Sequence, residues 1–155
     1  MKIALGADHA GFMAKEEIKS LLKAMGHEVV DVGTTSDLPC DYPDFAGEAA
    51  RKVASGECER AVLICGTGIG MSIAANKFAG VRAAVVTDEK TAEISRSHND
   101  ANVFCAGARL VPVVKIAESL KVWLQTPFQG GRHAKRLEKI SRLERLGSAG
   151  DMEVI

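Results

Sequence analysis

The sequence predicts an α/β fold, a three-layer αβα sandwich built on a five-stranded parallel sheet. Three observations predict it. Short apolar runs alternate with amphipathic stretches along nearly the whole chain, the pattern of strands joined by helical crossovers. Hydrophobic residues make up 46% of the chain and aromatics only 5%, so the core is aliphatic, as strands buried on both faces require. The chain has 155 residues, one domain by the usual range of roughly 100–200 residues.

The elements follow in order. Residues 2–6 are a short apolar run ending at Gly6, the first strand. Across 12–25, Ile18, Leu21, Leu22 and Met25 recur at helical spacing, and Gly26 stops the helix as a C-cap. Residues 28–32 read as a second strand, and 33–43, rich in Gly, Thr, Ser, Asp and Pro, as a loop. A helix over 45–54 closes at Ser55-Gly56. Ala61-Val62-Leu63-Ile64-Cys65 is fully apolar and forms the central strand. A glycine-rich turn at 66–70 leads into a short helix over 71–78. Residues 81–87 are the fourth strand. Asp88 and Glu89 then open a helix that ends near Ser97, with acids suitably at its N-terminal turn. Residues 102–106 are the fifth strand and 113–124 the next helix. Gly130-Gly131 breaks the chain before a charged helix over 132–146, with Leu137, Ile140 and Leu143 turned inward. One domain thus spans 1–146, followed by a frayed tail over 147–155. Each strand-to-helix turn lies at the carboxyl edge of this Rossmann-like sheet, where ligands of such folds bind.

Composition narrows the function. Twenty Lys and Arg balance twenty Asp and Glu, which argues against a dedicated nucleic-acid binder, whose footprint is a basic excess. Cys40, Cys58, Cys65 and Cys105 form no CxxC pair and no zinc spacing, so no metal site is expected. No signal peptide opens the chain and no apolar run approaches 18 residues. The chain reads as a soluble cytoplasmic protein with reduced thiols and no membrane partner.

Four segments carry candidate chemistry. The first is Cys65-Gly66-Thr67-Gly68-Ile69-Gly70. Its glycines let the backbone approach a ligand and aim several amides at one point, and the helix that follows favours an anionic sulfur there. One loop thus offers a base and an anion hole; the plainer reading is a buried thiol before a tight turn. The second is Asp8-His9, at the end of the first strand, where Asp8 accepts from hydroxyls and His9 binds hydroxyl or phosphate, or where Asp8 merely caps a helix. The third is His98-Asn99, a proton-transfer group beside a hydroxyl reader, or else a helix stop. The fourth is Arg132 with Arg136, four residues apart on one helix face, a fork for phosphate to which Arg109 adds a third guanidinium; the plainer reading is an ordinary solvated helix face, since Lys135, Lys139, Arg142 and Arg145 are also basic. His27 and His133 carry no distinctive context.

Together these segments resemble the ribose-5-phosphate isomerase B family, which includes galactose-6-phosphate isomerase subunits. The resemblance rests on Gly6-Ala7-Asp8-His9-Ala10-Gly11, Asp41-Tyr42-Pro43-Asp44, the run from Cys65 to Lys77, Arg82-Ala83-Ala84, the run from Ser97 to Asn102, and Gly107-Ala108-Arg109. It implies an aldose–ketose isomerase of the pentose phosphate pathway that needs no cofactor or metal and acts on a phosphorylated sugar. The resemblance makes Cys65 the base between C2 and C1, has Thr67 and the amides of Gly66, Gly68, Ile69 and Gly70 stabilise the enediolate, and makes His98 the ring-opening acid. It has Asp8, His9 and Asn99 hold hydroxyls, and Arg109, Arg132 and Arg136 bind substrate, chiefly its phosphate. It also implies a homodimer or dimer-based tetramer with sites at the interface, His98 and Asn99 serving the neighbouring subunit's Cys65.

Three other readings compete. A nucleotide-binding module would use the 66–70 turn with Asp88 as its ribose-binding acid, but the glycine spacing departs from the dinucleotide fingerprint at Met71. A phosphosugar sensor would use the same arginines without turnover. Within the family, the substrate could instead be allose or galactose 6-phosphate, or a tetrose phosphate.

Overall fold

The computed structural model describes residues 1–148. Its elements are β1 (Lys2–Ala7), α1 (Phe12–Ala24), β2 (Glu28–Asp31), α2 (Tyr42–Ala54), β3 (Arg60–Cys65), α3 (Ile69–Ala75), β4 (Ala83–Val85), α4 (Glu89–Ser97), β5 (Val103–Gly107), α5 (Val113–Gln125) and α6 (Arg132–Ser148). A short 3-10 turn, His9–Gly11, joins β1 to α1. The strands are all parallel, in the order β2-β1-β3-β5-β4. The expected five-stranded αβα sandwich is therefore present.

Strand periodicity divides the core in two. Ile3, Leu5, Val62, Ile64, Phe104 and Ala106 face one side, where Ile18 and Leu22 of α1, Ala92 of α4 and Ile116, Leu120 and Trp123 of α5 cover them. Ala4, Ala61, Leu63, Cys65, Val103 and Cys105 face the other, under Ala46, Ala49 and Ala50 of α2 and Met71 and Ala75 of α3. The small alanines of α2 let that helix lie close to the sheet.

Several boundaries differ from expectation. Helix α3, expected over 71–78, spans Ile69–Ala75 and so begins inside the expected glycine-rich turn. Helix α2 begins at Tyr42, inside the expected loop, because Pro43 occupies its first turn, where a missing amide costs nothing and the fixed φ suits a helix. Strand β4 is only three residues long. Its start is taken over by side chains: Arg82 N–H donates to Asn102 Oδ1 at 2.8 Å, and Asn76 Oδ1 and Nδ2 pair with the backbone of Ala83 at 2.8 and 2.9 Å. Asn76 so occupies backbone groups of an edge strand that would otherwise invite pairing. Helix α6 continues to Ser148, two residues into the expected tail, whose remainder lies outside the described residues. Leu137, Ile140 and Leu143 are not interior: Ile140 is 48% and Leu143 60% exposed. They line a groove of about 730 Å³ between α6 and the β4 edge, with Asn76, Arg82 and Asn99.

The end of β2 is tied to α1 by charge. Lys15 Nζ, on a side chain only 1% exposed, reaches Asp31 Oδ2 at 2.7 Å and Glu16 Oε1 at 2.9 Å. Lys19 shares Asp31 at 2.7 Å, and the Gly33 amide donates to Asp31 Oδ1 at 2.9 Å. Burial pushes the Asp31 carboxyl up, but the bonds from Lys15, Lys19 and Gly33 outweigh it and hold the group below its usual value. A lowered folded value means stability that is complete above the unfolded value and lost as pH falls through the folded one. Asp31→Asn is therefore expected to destabilise the fold by about 1–3 kcal/mol at neutral pH, because Lys15 loses a partner. Denaturant unfolding should show the gap from wild type closing as pH drops below about 4, the ordinary carboxylate range.

Candidate active site

Parallel pairing sets Cys65, the last residue of β3, beside Gly107, the last of β5. The chain then turns through Gly66, Thr67 and Gly68 before α3. Glycine is needed twice. Gly68 has φ +80°, a region that strains other residues. A Cβ on Gly107 would fall 2.5 Å from the Thr67 backbone, so the turn can rest on β5 only because that position has no side chain.

Inside this turn the Gly68 amide donates to Cys65 Sγ at 3.1 Å, a bond that an anionic sulfur accepts more strongly than a neutral thiol. Thr67 Oγ1 accepts from the Ile69 amide at 3.2 Å. Amides at the start of α3 lack carbonyl partners within the helix. The sulfur is less open than a rim position suggests: Cys65 keeps 4% exposure. The Tyr42 ring covers the turn, so close that a Cβ on Gly70 would lie 2.4 Å from it. Burial, and then the neighbouring Cys65, push the Cys105 thiol far above its usual range, so Cys105 stays neutral beneath the site.

Three further candidates share this carboxyl edge. Asp8 is a cap: its Oδ1 accepts the amides of Ala10 and Gly11 at 3.0 and 3.1 Å. It is also buried at 6% exposure, and its Oδ2 takes no hydrogen bond from any described residue. His9 Nδ1 lies 3.2 Å from both the amide nitrogen and the carbonyl oxygen of Cys40, which anchors the 33–41 loop to the β1 turn. Arg109 donates its amide to Gly66 O at 3.0 Å, and its side chain lies over Gly66, where a Cβ would be 3.3 Å away.

His98 and Asn99 are elsewhere. They follow α4 at the opposite, amino edge of the sheet, and the five residues of β5 alone separate the edges by about 13 Å. The segment is clamped. Asp100 sits at φ +44°, uncommon for a residue with a Cβ. Its carboxylate accepts from Arg96 at 2.7 Å and Arg82 at 3.1 Å. The Arg82 guanidinium also donates to the carbonyls of Asn99 at 3.2 Å and Asp100 at 2.9–3.0 Å. Helix α6 starts at the same edge, and His133 stacks on His98 with ring centroids 4.1 Å apart. Arg132 and Arg136 are exposed beside it. The candidate residues therefore fall into two groups: Cys65, the 66–70 turn, Asp8, His9 and Arg109 at one edge, and His98, Asn99, Arg132 and Arg136 at the other.

Tyr42, His133 and Asp100 lie against these two groups although the sequence assigns them no role. A ring packed on Gly70 and an imidazole stacked across two helices are tertiary contacts without a local pattern; only the Asp after His98-Asn99, a residue type that tolerates positive φ, was a local signal. Asp88, the acid a nucleotide-binding reading needs, is engaged in a capping box with Thr91. Among the described residues no three metal-ligating side chains come together, and no helix is long and apolar enough to cross a membrane.

The sequence profile of the ribose/galactose isomerase family matches residues 3–140. The chain is 48% identical to ribose-5-phosphate isomerase B of Escherichia coli (strain K12), over 92% of this chain and 96% of that protein. Among solved structures, ribose-5-phosphate isomerase B of Clostridium thermocellum superimposes with a TM-score of 0.92 at 50% identity, over 94% of this chain and 98% of the other. The Mycoplasma genitalium enzyme of the same name, solved with bound ribulose 5-phosphate, gives 0.90 at 42% identity, over 93% and 96%.

Gly107→Ala is expected to lift the Thr67 backbone, cost about 1–3 kcal/mol through overpacking, and speed alkylation of Cys65 by iodoacetamide as read on its own peptide by mass spectrometry. Gly47→Ala, where the nearest atom to a new Cβ is 3.7 Å away, should leave Cys65 labelling unchanged.

Proposed function

This chain belongs to the ribose/galactose isomerase family, and from that premise we propose that it interconverts ribose 5-phosphate and ribulose 5-phosphate through an enediolate, with Cys65 as the base. The observation that carries the reading is the Gly68 amide on the Cys65 sulfur, in the turn that leads into α3.

The chemistry follows from the groups. The Cys65 thiolate takes the C2 proton; the C–H bonding pair becomes the enediolate double bond as charge moves to the C1 oxygen. The C2 hydroxyl proton is lost and the C1 oxygen gains one. The new S–H then returns its proton to C1, leaving a ketone at C2. Donors already aimed at the developing oxyanion are worth about 10²–10³ in rate each, a role for Thr67 and the amides of Gly66, Gly68, Ile69 and Gly70. Burial of Cys65 keeps bulk water from the carbanion-like intermediate. Asp8 Oδ2 and His9 suit sugar hydroxyls, and Arg109, lying over Gly66, suits an anionic substrate.

The second half-site completes the reaction only from another copy of the chain, because a single chain holds it at the wrong edge of the sheet. In this reading the active unit is at least a homodimer. The second copy brings His98 to protonate the ring oxygen, Asn99 to hold a hydroxyl, and Arg132 with Arg136 to grip the phosphate, whose remote binding orients the reacting carbons.

Cys65→Ala is expected to lower turnover of ribose 5-phosphate by at least about 10²–10⁴ while calorimetry shows substrate affinity little changed, since the base acts chiefly in the transition state. An alanine variant with near-normal turnover would remove Cys65 from the role of base.

A further inference from the structure

His98 and Asn99 are mounted in two stages. Their backbone is set by the Arg82–Asp100–Arg96 clamp already described. That clamp reaches carbonyls and the Asp100 carboxylate and makes no bond to the His98 side chain. Among the described residues no hydrogen bond reaches the His98 ring. What does reach it is one flat contact: the His133 imidazole, with ring centroids 4.1 Å apart and planes 13° from parallel.

His133 is itself held. It is buried at 6% exposure, and its amide donates to Gly130 O at 3.0 Å in the turn that opens α6. Gln129, just before that turn, donates its amide to Ser97 O at 3.0 Å, so the start of α6 is pinned to the very end of α4. Burial, and then the charges of His98, Arg132 and Arg136, push the His133 imidazole below its usual range. His98 is the more open of the two rings.

We propose that His133 is a positioning residue for His98: the stacked, buried imidazole fixes the plane of the His98 ring and so aims it at the sugar ring oxygen. The inference rests on the reading of His98 as the ring-opening acid and adds the group that aims it. It also explains why an imidazole is buried in an otherwise charged helix, where an aliphatic residue would pack as well.

The test compares two reactions of the same protein. Conversion of ribose 5-phosphate begins from a closed ring. Exchange of the C1 hydrogen of ribulose 5-phosphate with deuterated solvent, read by proton NMR, needs the base and the oxyanion donors but no ring, since the 5-phosphate prevents this ketose from closing. His133→Ala is expected to lower kcat on ribose 5-phosphate by about 10–100-fold, the cost of a misplaced catalytic group, with KM nearly constant and deuterium exchange within a few fold of wild type. His133→Phe, which keeps a flat ring in the same place, should recover most of the lost kcat. Equal losses in both reactions, or no recovery with Phe in a protein that folds normally, would overturn the positioning role. His98→Asn separates the two claims: if it slows both reactions equally, the ring-opening reading of His98 itself fails, whatever His133 does.

Discussion

The parallel register of β3 against β5 decides where chemistry can happen in this molecule. It sets Cys65 opposite Gly107, and the absence of a side chain at 107 lets the Thr67 backbone settle onto the sheet. Only then can the Gly68 amide reach the sulfur. The pairing is hydrogen-bonded along its length and buried on both faces, so the sulfur and the Gly68 amide that faces it are held before any ligand arrives. Preorganised donors of this kind are worth more than flexible ones because nothing must be reoriented as charge develops.

The same register separates the two groups of candidate residues. A residue just after α4 lies the length of β5 away from Cys65. The fold answers by making each half rigid in its own place. At the carboxyl edge, Lys15, Lys19 and Asp31 secure the end of β2, and His9 holds the loop at Cys40. At the amino edge, three arginine–carbonyl bonds and two ion pairs hold Asp100 in a strained conformation. Positive φ at a residue with a Cβ is maintained only where surroundings enforce it. That cost is understandable if the segment must be presented, already shaped, to a second copy.

Much of this was legible in the sequence. The apolar runs ending at Gly6, Cys65 and Ala106 gave the strands, and the strand–turn–helix order placed Cys65, Asp8 and Arg109 at one edge. Helix α2 was read three residues short because Pro43 looks like a loop residue, although the first turn of a helix tolerates it. Strand β4 was read too long because Asn76 and Asn102 displace part of its ladder, an effect of side chains distant in sequence. The apolar stripe of α6 suggested burial, yet Ile140 and Leu143 stay half open along a groove. Nothing near His133 in sequence marks it; only folding brings α6 onto the end of α4. Local pattern reveals what a segment is, and a stack between two helices is not a property of either segment.

Sharing of the site between copies is tested most directly by mixing two defective chains. Cys65→Ala lacks the base but carries an intact amino-edge half-site; His98→Asn is the reverse. When the two are co-refolded in equal amounts, random pairing places one intact composite site among roughly every four. Turnover of ribose 5-phosphate should then rise well above the sum of the two variants, toward about a quarter of wild type per site. Hybrids verified by native mass spectrometry that show only the summed activity of their parents would mean that each chain completes its own site, contradicting the division of labour imposed by the sheet.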